Sequence, residues 1–312
     1  LVTILTLMTP SPSPRSPASD AASSAPKATT WSQERRLQFV DFRLQWDRKL
    51  NRGDLVAFFG ISVPQASADI AQYLALAPEN LSYDRGSRMY VATPSFKPIY
   101  PSSGARQYLA QLLATERGVI TQAHSLLGFS PDIASVPRPS RHIDTHTLLP
   151  IVRAIAERGM MEVSYQSIAR DEPRERQISP HALGHDGLRW HVRAYCHLRE
   201  GFRDFVVGRI LRVGVDSVAS NISSANDAEW HEEVEMVLTP HPELSASQRS
   251  GVEADFGMTR GRVSLKCRRA LLYYTLRSLG FDSAGRPHKG ERQLVIANLD
   301  ALKPVLPKPG QA

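Results

Sequence analysis

The chain has 312 residues, 42% hydrophobic and 22% charged, and carries a formal charge of +7. That length exceeds one small core and suits two or three domains, while the basic balance points, weakly by itself, to polyanionic partners. Two distant cysteines, Cys196 and Cys267, exclude a zinc site built on cysteine pairs and argue against a disulfide-stapled secreted domain. No run approaches the roughly 20 apolar residues of a bilayer span.

Leu1 to Met8 is a short apolar run without the basic flank of a signal peptide, and Ser, Pro and Ala dominate residues 9–30. Residues 1–30 therefore read as a disordered tail. Leu rather than Met at position 1 is what a start upstream of the natural one would give.

From Trp31 the texture changes. Ser32 reads as a helix cap, and Leu37, Phe39, Val40, Leu44 and Leu50 follow at helical spacing. A second helix is expected over Arg52 to Phe59, stopped by Gly60. Ser62 caps a third, with Pro64 in its first turn and Ala66, Ile70, Tyr73 and Leu74 along it. Two strand-like runs, Leu81–Asp84 and Arg88–Val91, flank Arg85-Gly86-Ser87 as a hairpin.

Three helices and a ribbon are the layout of a winged helix-turn-helix, whose helix after the tight turn enters the major groove. Off its apolar stripe that helix carries Ser62, Gln65, Ser67 and Asp69, short or amide-bearing groups suited to base edges and phosphates. Arg85 and Arg88 flank the wing tip; Arg48, Lys49 and Arg52 flank the start of the second helix. The competing reading is a helical protein-interaction domain with solvated charges, which the nearly balanced local charge favours. Winged helix-turn-helix extents of 31–96 and a linker of 97–143, holding one helix from Ala105 to about Glu116, are expected.

His146 to Arg158 reads as a helix with Leu148, Leu149, Ile151, Val152 and Ile155 on its buried side. Short strands follow: Met161 to Ser167, Gln177 to His181, a clean period-two run after Asp186-Gly187, and Arg203 to Ile210. In the third, Leu188, Trp190, Val192, Ala194 and Cys196 share one face, and Arg189, His191, Arg193 and Tyr195 the other. Such spacing suggests a small barrel or strongly bent sheet. Arginines recur without matching carboxylates apart from Asp204. Together with Tyr165, Ser167 and His181, the residues Arg189, His191, Arg193, Arg203 and Arg209 suit a phosphorylated or nucleotide-like anion, because guanidinium grips oxyanions bidentately. The alternative is an arginine-rich solvated face.

Val163-Ser164-Tyr165-Gln166-Ser167, Ile178-Ser179-Pro180-His181-Ala182-Leu183, Leu188-Arg189-Trp190-His191-Val192-Arg193-Ala194-Tyr195-Cys196 and Phe202-Arg203-Asp204-Phe205-Val206-Val207-Gly208-Arg209-Ile210 resemble a WYL domain. More narrowly, the chain resembles WYL regulators of bacterial phage-defence operons, of the CapW and BrxR kind. His191 stands where the name-giving motif has Tyr, which places borrowed ligand assignments in doubt. The resemblance implies an Sm- or SH3-like barrel over 144–220, homodimerisation, repression at an inverted-repeat operator of double-stranded DNA, and release by an infection-linked anionic ligand, a nucleotide or nucleic-acid fragment.

The remainder reads as strand (234–238), helix (245–256), strand (262–266), helix (268–279) and strand (292–296), resembling the WCX extension and expected as a dimerisation domain over 230–305. The fold class is thus multidomain α+β. No phosphate-cradling loop, nucleophile elbow or metal-binding histidine pair appears, so neither catalysis nor a cofactor or metal is expected. A cytoplasmic regulator with no membrane partner is the expectation, with an activator of the same architecture, or a factor that holds single strands, as rivals.

Overall fold

The computed structural model describes residues 30–137, 139, 141–214, 218–288, 290 and 293–306. The expected tail, Thr30 apart, lies outside them. The chain forms two compact units, one running to Arg138 and one from Pro139.

The first unit opens with α1 (Trp31–Trp46), capped by Thr30, two residues earlier than Ser32; the Thr30 hydroxyl accepts from Gln33 N. β1 (Lys49–Leu50) leads into α2 (Arg52–Phe59), whose Asn51 and Asp54 form a reciprocal capping box. Gly60 closes α2 in the left-handed region (φ 65°), where a Cβ would be strained. Then comes α3 (Val63–Leu76) with Ser62 as cap. β2 (Leu81–Asp84) and β3 (Met89–Ala92) form the wing, and β1 adds a third antiparallel strand in the order β1-β3-β2. Leu37, Phe39, Val40, Leu44, Leu55, Ile70 and Tyr73 bury the shared core.

A buried polar network then ties the following segment down. Asp41, fully buried, accepts from the Ile99 and Tyr100 amides and from the Tyr73 and Ser103 hydroxyls. Burial, then the hydrogen bond to Asp41, pushes the Tyr73 phenol far above its ordinary value. α4 (Ala105–Glu116), in the segment expected as a linker, packs on α1: Trp46 stacks on Tyr108 at 4.1 Å, and Leu112 joins Phe42 and Leu127.

The second unit begins with α5 (Thr145–Glu157), whose buried residues are Ile151 and Ala154. Leu149 and Val152, expected inward, are exposed, because the apolar stripe is wider than the one face the helix can bury. β4 (Gly159–Tyr165), β5 (Arg174–His185), β6 (Trp190–Cys196), β7 (Gly201–Val206) and β8 (Ile210–Val213) pair antiparallel in the order β7-β6-β5-β4-β8, with β9 (Val218–Ala219) also on β4. β5 runs longer than expected, and β7 stops at Val206, where one 3-10 turn (Val207–Arg209) leads into β8. Flat, five strands would hold their edges roughly 19 Å apart. A three-residue link reaches at most about 14 Å. The sheet must therefore curl strongly, bringing its β7 and β8 edges closer at this end than a flat sheet allows, in the manner of a small open barrel.

α6 (Ala228–His231) was not read from the sequence. After it come β10 (Glu233–Pro240), α7 (Ala246–Asp255), β11 (Val263–Arg268), α8 (Leu272–Ser278), β12 (Leu294–Ile296) and α9 (Leu299–Leu302). The sheet order is β11-β10-β12, with Met236, Leu272, Leu276 and Phe281 at the core.

Candidate nucleic-acid interface and ligand face

At the start of α3, Ser62 and Gln65 are exposed and Ser67 is half-buried. Ser62 Oγ accepts from Gln65 N (3.3 Å), and Ser67 Oγ donates to Val63 O (3.0 Å). Asp69 departs from expectation. It is fully buried, and Arg36 donates to both its oxygens (2.6 and 3.2 Å), so it fastens α3 to α1 and offers nothing to a base edge. Gln65 Nε2 also donates to Asp69 (3.1 Å), which orients the amide along the helix.

At the wing, Asp84 accepts from Gly86 N (2.9 Å) and Ser87 Oγ (2.6 Å), fixing the turn that carries Arg85 and Arg88, both exposed. Arg52, Gly53, Tyr83, Arg88 and Tyr90 line a shallow cleft of about 280 Å³ at the N-terminus of α2. Arg52 donates to Tyr90 OH (3.0 Å), and among the described residues neither arginine meets a carboxylate. Two guanidinium groups without a carboxylate partner among the described residues, beside the positive end of a helix dipole, suit a phosphate. Lys49 is exposed; Arg48 is engaged, donating to Thr93 O (2.8 Å) over the Phe96 ring.

The second group of expected site residues does not form one surface. Antiparallel partners share a face, so the register Arg193↔Asp204, His191↔Val206 and Tyr195↔Phe202 puts these six together. α6 and the start of α8 cover that face. His191 is 2% and Arg193 4% exposed. Arg193 donates to Asp227 twice (2.7 and 2.9 Å), to Glu229 (2.9 Å) and to Asp204 (3.3 Å). His181 meets the same Asp227 at 2.9 Å, edge-on to Phe202 and Trp230. Arg189 and His191 both meet Asp186 (2.9 and 3.0 Å), and the His191 ring lies 4.9 Å from Tyr274. His191 Nδ1 is buried without a partner.

The expectation of arginines lacking carboxylates is thus corrected: Asp227, Glu229 and Asp186 supply them from outside the strands. Burial would raise Asp227 and Asp186, but their hydrogen bonds from Arg193 and His181, and from His191 and Arg189, hold both well below the carboxylate range. Asp204 is raised, because burial outweighs Arg193 and His191. Asp227, Glu229 and Trp230 were missed in the sequence; Asp227 as the cap of α6 is the one signal that pointed there.

The other face carries Ala194↔Arg203, Val192↔Phe205 and Tyr165↔Arg174. Tyr165 sits edge-on to Phe205 (5.1 Å) and its hydroxyl accepts from Val206 N. Arg203 is exposed, Arg209 half-buried, and Ser167 turns the loop after β4 by accepting from Ala169 N.

Three family models match: the BrxR transcriptional regulator winged helix-turn-helix domain (residues 32–114), the WYL domain (146–215) and the BrxR transcriptional regulator C-terminal dimerization domain (233–302). Proteins described as "DNA-binding transcriptional repressor CapW" are similar over most of their length. The one from Stenotrophomonas maltophilia is 44% identical over 90% of this chain and 94% of its own. That from Pseudomonas aeruginosa is 46% identical over 88% and 92%, and that from Escherichia coli 41% over 88% and 92%.

Proposed function

The chain belongs to the family of the CapW repressors, with BrxR-type winged helix and C-terminal domains around a WYL domain, and from that premise we propose that it is itself a homodimeric DNA-binding repressor. α3 enters the major groove with Ser62, Gln65 and Ser67, while Arg52, Arg85, Arg88, Lys49 and Arg48 meet phosphates on either side. The observation that carries this reading is the carboxylate-free, arginine-rimmed cleft between α2 and the wing. Dimerisation through residues 233–302 makes the operator an inverted repeat. The genes it controls are those of a phage-defence operon.

Release follows binding of an anionic, nucleotide-like or nucleic-acid ligand to the WYL domain. Tyr165, Ser167, Arg203 and Arg209 lie toward the ligand. His181, His191 and Arg193 join the sheet to α6 and α8, while Arg189 pairs with Asp186 in its own turn, so a ligand that shifts the strands shifts the dimerisation domain. Such a ligand must bind the two dimer geometries unequally. Deleting the gene beside a reporter driven by its own upstream region tests the reading: transcription rises. Loss of transcription would make the protein an activator.

A further inference from the structure

The face of the sheet opposite Arg193 holds a buried cation that no carboxylate among the described residues answers. Arg176 is 8% exposed and its Nη1 has no hydrogen-bond partner. The register Val163↔Arg176, Tyr165↔Arg174 and Ile178↔Cys196 places Arg174, Arg176 and Cys196 on the face of Tyr165 and Arg203. Arg170 follows β4, and Arg199 sits in the turn between β6 and β7. Arg174 and Arg199 are exposed and Arg170 half-buried, so this end of the sheet is a deep guanidinium rimmed by accessible ones.

Among the described residues no ion pair reaches Arg170, Arg174, Arg176 or Arg199. Glu175, the carboxylate between two of them, projects to the other face and pairs with Arg212 (2.9 Å). Asp171 and Glu172 are exposed and meet no cation among the described residues. Burial lowers the Arg176 pKa; the Cys196 thiol works against this, and Arg170, Arg199 and Arg174 lower it further. A buried charge without a counter-ion is costly, and an arriving anion offsets that cost.

We propose that Arg170, Arg174, Arg176 and Arg199 form the phosphate-binding site of the WYL domain, with Arg176 as the deepest donor to one phosphate group of a nucleotide or oligonucleotide. This rests on the reading of the domain as an anion sensor and gives that sensor a location separate from the Arg193–Asp227 cluster. The test is calorimetric titration of the full chain with inorganic pyrophosphate, ATP and a tetranucleotide with and without its 5′-phosphate. Wild type binds at least one phosphorylated probe, and Arg174→Ala/Arg199→Ala, a pair of exposed positions that leaves the core intact, weakens it tenfold or more. Arg176→Lys, which keeps the charge but loses the planar fork, weakens it as well. ATP preferred over the tetranucleotide marks a free nucleotide as the source; the 5′-phosphorylated tetranucleotide preferred over its bare form marks an oligonucleotide end. Absence of binding by every probe, or equal binding by wild type and the double variant, overturns the proposal. Operator release measured beside it separates the two ideas, since phosphate binding without release refutes the sensor reading and leaves the site.

Discussion

Replacing Asp227 with Ala removes two of the four hydrogen bonds on Arg193, the contact to His181 and the cap of α6. The Arg193 and Asp227 side chains are 5% and 1% exposed, so solvent screens little of the pair. Breaking a buried pair from one side costs about 3–5 kcal/mol. Glu229 and Asp204 still answer Arg193, which sets the expected loss near the lower end, about 3 kcal/mol. For a unit of this size each kcal/mol moves Tm by roughly 2–4 °C, so the drop is roughly 6–12 °C. Scanning calorimetry and urea unfolding at neutral pH measure both. The Asp227 carboxyl is depressed in the folded state, so its contribution is fully present above about pH 4, the unfolded value, and disappears as pH falls further. The wild-type and Asp227→Ala stabilities should therefore converge in acid. A neutral-pH loss under about 1 kcal/mol, or a pH-independent difference, would refute the reasoning.

Three further outcomes follow from other parts of the molecule. Tyr73→Phe strips a donor from buried Asp41 and an acceptor from Asn80, and urea unfolding should show a loss of about 1–2 kcal/mol. A Cβ at Gly128 would overlap the Arg43 guanidinium and the Asp47 carboxylate that accepts from the Gly128 and Phe129 amides; Gly128→Ala should lower stability by about 1–3 kcal/mol in a thermal melt. Arg88→Ala should weaken binding to all duplexes alike and reduce the salt slope by about 1, read by fluorescence anisotropy across a salt series.

Local signals were legible where local chemistry decides the structure. Gly60 and Ser62 stop or cap helices by their own backbone freedom or side chain, so the end of α2 and the start of α3 were visible in sequence, whereas the Asn51 cap of α2 was not read there. The period of two along β6 was equally plain. What it cannot show is that both faces of β6 are covered, because α6 and α8, which bury the polar one, lie dozens of residues further on. The partners of Arg193 come from Asp227 and Glu229 for the same reason. His181, Arg193, Tyr165 and Arg203 thus read as one constellation, although strand register divides them between opposite faces. Asp69 looked like a polar surface residue only because Arg36, its partner 33 positions earlier, gives no local sign.

The most direct trial of the account is anisotropy of the full chain on a duplex from its own upstream region, competed with shuffled duplex and with single strands at one fixed salt concentration. A dimer reading two half-sites should prefer its own duplex by about 10³-fold or more, and Gln65→Ala should erode that preference. Equal affinity for the shuffled duplex, or preference for single strands, would contradict it.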